Sequence, residues 1–211
     1  MTERELRAAI VATARRMNAL GINQGRSGNL GARFEDGFLV TPSGLAYEET
    51  EPGDIVRVGM DGTPRGARKP SSEWRIHRDV FAARPEVNAI VHAHASYATA
   101  LACLGRAIPA FHYMVAVAGG SDIRCAPYAT FGTQELSDRA LAALEDRTAC
   151  LLANHGMVAL GESLEAALAL AIEVETLAQQ YCCALQVGTP NRLSEDEMAL
   201  VLAKFKDYGA S

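Results

Sequence analysis

The sequence predicts a single domain of mixed α and β structure, and three observations carry that prediction. First, the 211 residues are 49% hydrophobic, enough to build one sizeable core. Second, windows with apolar residues at helical spacing lie at both ends of the chain and at intervals between them. Third, short apolar runs bounded by Gly, Pro, Asn and Asp separate those windows and read as strands, so that the first third of the chain is a β-meander.

Thr2 with Glu5 forms a capping box for the first helix, in which Leu6, Ile10, Ala14, Met17 and Leu20 recur at helical spacing until Gly21. A glycine-rich turn over 23–29 leads into a strand over 30–34. Gly28 there lets the backbone approach an anion and Asn29 offers a side-chain amide, although an ordinary loop uses the same residue types. Asp36-Gly37 marks a hairpin turn, followed by a strand over 38–41 and the loop Pro42-Ser43-Gly44, which again pairs a hydroxyl with a glycine. A further strand over 54–60 ends at Asp61-Gly62, and the connector 63–70 reads as an exposed loop.

Ser71-Ser72-Glu73 opens a helix that stops before Pro85 and buries Trp74, Ile76, Val80 and Phe81. Serines at a helix start are caps. The same hydroxyls, with free backbone N–H groups and the positive end of the dipole, also make a seat for phosphate. Glu73 complements that dipole, while His77, one turn on, lacks the second histidine of an HExxH arrangement and is read as structural.

The run from Ala89 to His94 places two imidazoles with one small residue between them. In a strand, residues i and i+2 point to the same side, whereas on a helix they lie about 200° apart. His92 and His94 are therefore a candidate metal pair at a strand end, or two core histidines of a buried strand. A catalytic zinc needs three protein ligands and an open position, so a third ligand must come from elsewhere. Ser96 is placed as the cap of a short helix to about Leu104. Tyr113 follows in an apolar segment, as a core or interface residue or as a proton donor. A strand over 123–127 and a helix over 134–144 come next.

Residues 148–161 read as two buried strands broken at His155-Gly156, which makes His155 the candidate third ligand. The helix over 163–187 is apolar on a wide face, but Glu165, Glu173 and Glu175 exclude a membrane span. Ser194 with Glu197 forms a second capping box, for a last helix that carries Met198, Val201, Leu202 and Phe205 up to Tyr208.

Composition narrows the partners. A net charge of −5, from 25 acidic and 20 basic residues with no basic stripe, argues against nucleic acid. Five cysteines without a CxxC pair, and an N-terminus without an apolar leader, point to an unprocessed chain in the reducing cytoplasm, off the membrane.

The order Gly-Asn, Thr-Pro-Ser-Gly, Ser-Ser-Glu-Trp, His-Ala-His, His-Tyr-Met, Tyr-Ala-Thr-Phe-Gly-Thr and His-Gly resembles the class II aldolase/adducin family over nearly the whole chain. The resemblance implies a three-layer α/β/α fold with a central, largely antiparallel sheet, assembled as a C4 homotetramer with active sites between subunits. It implies one Zn2+ per subunit, held by Glu73, His92, His94 and His155. It also implies a phosphate seat of Gly28, Asn29, Ser43, Gly44, Ser71 and Ser72. Glu73 would carry the proton at C3 of a ketose 1-phosphate and Tyr113 would serve the departing aldehyde, the products being dihydroxyacetone phosphate and an aldehyde.

Tyr113 and Phe131 point to the aldolase branch. The substrates implied are L-fuculose 1-phosphate, 5-deoxyribulose 1-phosphate or 5-(methylthio)ribulose 1-phosphate, the last two suiting a pocket walled by Phe131 and Tyr113. The same scaffold also hosts a methylthioribulose-phosphate dehydratase, a ribulose-phosphate 4-epimerase, a sugar-acid phosphate decarboxylase and the non-enzymatic adducin head, which does not need zinc ligands. Departures from the family pattern are Arg26-Ser27, Asn154 and a tail of three residues after Tyr208, all bearing on the substrate.

Overall fold

In the computed structural model residues 1–207 are described; Tyr208 and the short tail lie outside them. Eight strands form one sheet. They are β1 (Asn29–Phe34), β2 (Gly37–Val40), β3 (Val56–Gly59), β4 (Pro64–Arg65), β5 (Ala89–Ala93), β6 (Cys125–Ala126), β7 (Ala149–Leu152) and β8 (Gly156–Gly161). Their order is β4-β3-β2-β1-β5-β8-β7-β6, and every pairing is antiparallel except β6 with β7. The meander expected in the first third is thus one edge of the sheet, and the expected mixed, largely antiparallel α/β architecture is what forms.

The helices are α1 (Glu3–Ala19), α2 (Trp74–Ala83), α3 (Ser96–Cys103), α4 (Gln134–Ala143), α5 (Leu164–Val187) and α6 (Glu195–Asp207). Strand alternation sorts the core into two layers. On one face, Ala89, Val91 and Ala93 of β5 meet Ile10 and Met17 of α1, Leu101 of α3 and Val174 of α5. On the other, Ile90 of β5, Phe38 of β2 and Val158 of β8 meet Ile76, Val80 and Phe81 of α2 and Leu136 of α4. Helices on both faces of a sheet make three layers. None of the helices described is long and apolar enough to cross a membrane.

Several local expectations shift. The hairpin turn is Glu35-Asp36, with Glu35 at φ 48°, and Gly37 belongs to β2, paired with Phe34; a Cβ there would lie 2.3 Å from the Val58 carbonyl oxygen of the adjacent strand. Residues 52–54 form a 3-10 turn instead of extending the third strand, as Pro52 with its fixed φ suits a turn start. Within the connector read as a loop, Pro64–Arg65 adds β4 to the sheet edge. Ser96 does not cap α3: Ala95 holds the cap position, and the Glu175 carboxylate of α5 accepts from the Tyr97 and Ala98 backbone N–H groups at 2.9 and 2.8 Å. A residue 77 positions away in sequence has taken over the cap, which no local signal reveals.

Candidate metal centre and anion seat

Register brings the candidate ligands together. β1 pairs with β5 so that Asn29 lies opposite His92, and β5 pairs with β8 so that Ala93 lies opposite Met157, leaving His155 in the turn just before β8 and His94 just after β5. His92 shares its face with Ile90, the face on which α2 packs. The start of α2 therefore meets the end of β5. Glu73 occupies the N-cap position of α2 without a side-chain cap bond. Its carboxylate instead turns to the imidazoles, with Oε2 3.1 Å from His92 Nε2 and Oε1 3.0 Å from His155 Nε2.

His92, His94 and His155 each present one ring nitrogen, and these atoms all lie within 4.8 Å of one another. His92 Nε2 and His94 Nε2 are 3.1 Å apart. The Met157 carbonyl accepts from His92 Nδ1 at 2.8 Å, which leaves Nε2 as the nitrogen turned towards the cluster. Burial opposes charge on Glu73. The positive charge of His92 and the close approach of His155 outweigh it and hold the carboxyl well below the usual carboxylate range. Burial likewise disfavours a charged His92, and the facing Glu73 carboxylate overrides this and raises it. His94 moves the other way, pushed down to about 4 by burial and by the charges of His92 and His155.

Four donor groups around one point, one of them a buried carboxylate whose Oε1 has no hydrogen bond of proper geometry, fit a cation. The donor set of three imidazoles and one carboxylate suits a borderline ion such as zinc. A proton on His92 Nε2 and a metal ion are alternatives for the same place.

Beside this group lies a cleft of about 300 Å³. Gly28, Asn29, Ser43, Gly44, Ser71 and Ser72 line it together with Glu73, His94 and His155, so every residue expected in the phosphate seat reaches one cavity. The loops that carry them are joined by backbone bonds from Ser43 N to Lys69 O and from Ser71 N to Thr41 O, each 3.0 Å. Ser71 and Ser72 do not cap α2 but form the turn before it, with Ser71 Oγ accepting from Glu73 N at 3.3 Å. Gly28 has φ 70°, and a Cβ there would stand 2.6 Å from the His92 carbonyl oxygen, so a glycine is required for this loop to lie against β5. Phe131, 66% exposed, stands on the rim.

Tyr113 is not at this cleft. It begins a 3-10 turn (Tyr113–Ala118), is 51% exposed and lines a separate apolar groove with Phe111 and Phe205, stacked on Phe205 at 6.5 Å between ring centroids. Within one chain it is not brought to the metal centre.

The cleft also contains residues the sequence did not single out as ligands. Arg26 is the only Lys or Arg lining it among the described residues, and its guanidinium donates to the Gly44 carbonyl at 3.3 Å. Asn154, at φ 57°, lines it beside His155. Asn23, 2% exposed, donates to Ser27 O at 2.7 Å and accepts from His94 N at 3.3 Å, tying the anion loop to the metal strand. An asparagine in a glycine-rich loop carries no such information in sequence.

Comparison with known proteins agrees with this geometry. Residues 8–182 match the family described as Class II Aldolase and Adducin N-terminal domain. A 5-methylthioribulose-1-phosphate/5-deoxyribulose-1-phosphate aldolase of Rhodospirillum rubrum is 58% identical over 97% of this chain and 92% of its own length. An L-fuculose phosphate aldolase of Escherichia coli K12 is 48% identical over 99% of this chain and 98% of its own. Among solved structures, an L-fuculose 1-phosphate aldolase superposes with a TM-score of 0.93 at 40% identity, covering 96% of each chain. The chain therefore belongs to the class II aldolase and adducin N-terminal domain family, and within it to the aldolases, which are aldehyde-lyases.

Proposed function

We propose that this protein is a zinc-dependent aldolase that reversibly cleaves a ketose 1-phosphate to dihydroxyacetone phosphate and an aldehyde. The observation that carries this reading is the cleft itself, in which the anion seat of Gly28, Asn29, Ser43, Gly44, Ser71 and Ser72 adjoins three converging imidazoles and Glu73. A zinc ion held by Glu73, His92, His94 and His155 would supply Lewis-acid polarisation of the substrate oxygens beside the bond to be broken. Everything else is done by side chains. Hydroxyls and loop amides seat the phosphate, fixing the distance from phosphorus to the reacting carbons. Glu73, buried and turned to the imidazoles, carries the proton at C3. Tyr113, remote from this cleft in its own chain, serves the aldehyde oxygen of a neighbouring subunit in a C4 tetramer.

The aldehyde end is assigned to small or apolar tails. Phe131 and Tyr128 stand exposed at the rim of the cleft, and the Rhodospirillum rubrum relative is named for substrates of that kind. The test is incubation of the zinc-loaded protein with 5-deoxyribulose, 5-(methylthio)ribulose and fuculose 1-phosphates while dihydroxyacetone phosphate is assayed. All three should yield it, the first two with kcat/KM at least equal to the third. A strong preference for fuculose 1-phosphate would overturn the tail assignment, and no dihydroxyacetone phosphate from any of them would overturn the activity.

A further inference from the structure

Of the five histidines, three converge at the metal centre and His112 accepts from Met114 N at the 3-10 turn, which leaves His77 of α2 without a part in either group. It is 1% exposed and packs between Phe38, whose ring is stacked at 6.2 Å, and Phe81, tilted at 6.3 Å. An apolar side chain would fill such a place at less cost, because His77 Nδ1 is buried with no hydrogen-bond partner. The β1 backbone closes over that nitrogen: a Cβ added at Gly31 would come within 2.3 Å of Nδ1. All the polar use of this ring is therefore at Nε2, which lies 2.5 Å from Asn29 Oδ1.

The other end of the Asn29 amide donates from Nδ2 to Glu73 Oε2 at 2.9 Å. The amide has two orientations related by a flip, and its neighbours discriminate between them. As found, the carbonyl oxygen faces an N–H of His77 and the NH2 group faces a carboxylate. Flipped, the NH2 group would meet the His77 N–H and the carbonyl oxygen would meet the carboxylate, two repulsive contacts in a buried place. Burial and the nearby charge of His92 push His77 down to about 3, so the ring is neutral near neutral pH and carries one N–H.

We propose that His77 is a positioning residue for the metal centre: its Nε2–H locks the Asn29 amide in the orientation that donates to Glu73, and so holds the carboxylate facing the three imidazoles. The inference rests on the proposed reading that Glu73 is a metal ligand. Outer partners of this kind, here one and two hydrogen bonds removed from the proposed ligand Glu73, set ligand orientation and affinity.

A double-mutant cycle on the full-length protein tests it, with zinc affinity measured by chelator competition and the visible spectrum of the cobalt-substituted protein as a second readout. His77→Leu should lower zinc affinity by about 10- to 100-fold and alter the cobalt spectrum. His77→Gln, which puts an amide N–H near the place of Nε2, should restore most of both. On an Asn29→Ala background, His77→Leu should change zinc affinity less than about twofold, because the route to Glu73 is already cut. Unchanged affinity and spectrum in His77→Leu, or effects that add in the double variant, would overturn the inference.

Should His77→Leu fail to fold, nitrogen-15 spectra of the wild-type ring decide. A neutral Nε2–H form between pH 5.5 and 8 supports the proposal, and the Nδ1–H form or an imidazolium overturns it. Glu73→Ala separates the two levels. Full zinc affinity in that variant would remove Glu73 from the ligand set and defeat the reading beneath, whereas loss in Glu73→Ala with additivity in the cycle defeats the positioning role alone.

Discussion

In the proposed mechanism Glu73 serves two roles, metal ligand and proton carrier, that one substitution separates. Glu73→Gln keeps the shape and an oxygen but removes the basicity, so zinc should largely remain while turnover falls by the roughly 10²–10⁴ of a lost general acid or base. Exchange of the C3 hydrogen of dihydroxyacetone phosphate with solvent measures that step directly, and exchange at the wild-type rate would reject the role. Arg26 belongs to the same scale. The proposed phosphate seat is otherwise built of hydroxyls, an amide and backbone, and among the described residues Arg26 is the only Lys or Arg lining the cleft. Because it is exposed, its attraction for a dianion is screened by salt. Arg26→Ala should raise KM for a ketose 1-phosphate severalfold with kcat little changed. The wild-type KM should also climb with ionic strength more steeply than that of the variant. Equal salt dependence in the two proteins would show that the guanidinium does not meet the phosphate.

At the scale of elements, three of the four proposed metal ligands sit where secondary structure ends: Glu73 at the start of α2, His94 after β5, His155 before β8. Such positions need other elements to hold them. α3 begins two residues beyond His94, and its first N–H groups are accepted by Glu175 from the middle of α5. Glu175→Ala would leave those donors without their acceptor, costing about 1–2 kcal/mol and lowering the unfolding midpoint by a few degrees. It should also loosen His94, visible as faster loss of zinc to a chelator. Calorimetry with chelator kinetics checks both, and a wild-type melting temperature would mean that water or a side chain replaces the cap at no cost. Helix existence and type were readable from apolar spacing for α1, α2 and α5, because each packs one face on a sheet. The Ser96 expectation failed since a local hydroxyl was assumed where a distant carboxylate reaches the same N–H groups.

For the whole molecule, the placement of Tyr113 is decisive. It is half exposed in a groove apart from the metal centre, so in the proposed mechanism it acts only from another chain. Tyr113→Phe should lower turnover with zinc content and assembly size unchanged. Co-refolding inactive His94→Ala chains with Tyr113→Phe chains should restore part of the activity, because some sites then combine an intact metal group with an intact tyrosine. Mixed oligomers verified by mass spectrometry that show no recovery would place the tyrosine outside the reaction.

What the sequence determined by itself was local in origin. A two-residue period puts His92 and His94 on one side of an extended chain whatever surrounds them, and capping boxes, glycine turns and apolar spacing mark elements over stretches of a few residues. His155 stood out as a candidate third ligand at a strand break, but the place of Glu73 beside that pair was legible only through the motif order, since residues 19 or more positions apart are joined by strand register and helix docking, which no local pattern encodes. The tertiary structure alone decided the finer matters. It gave α3 its cap from α5, placed Asn23 between the anion loop and His94, and set Gly31 over a buried His77 whose single polar contact is Asn29. Each of these is a hydrogen bond or close approach across elements, and it exists because burial leaves a polar group no water to turn to.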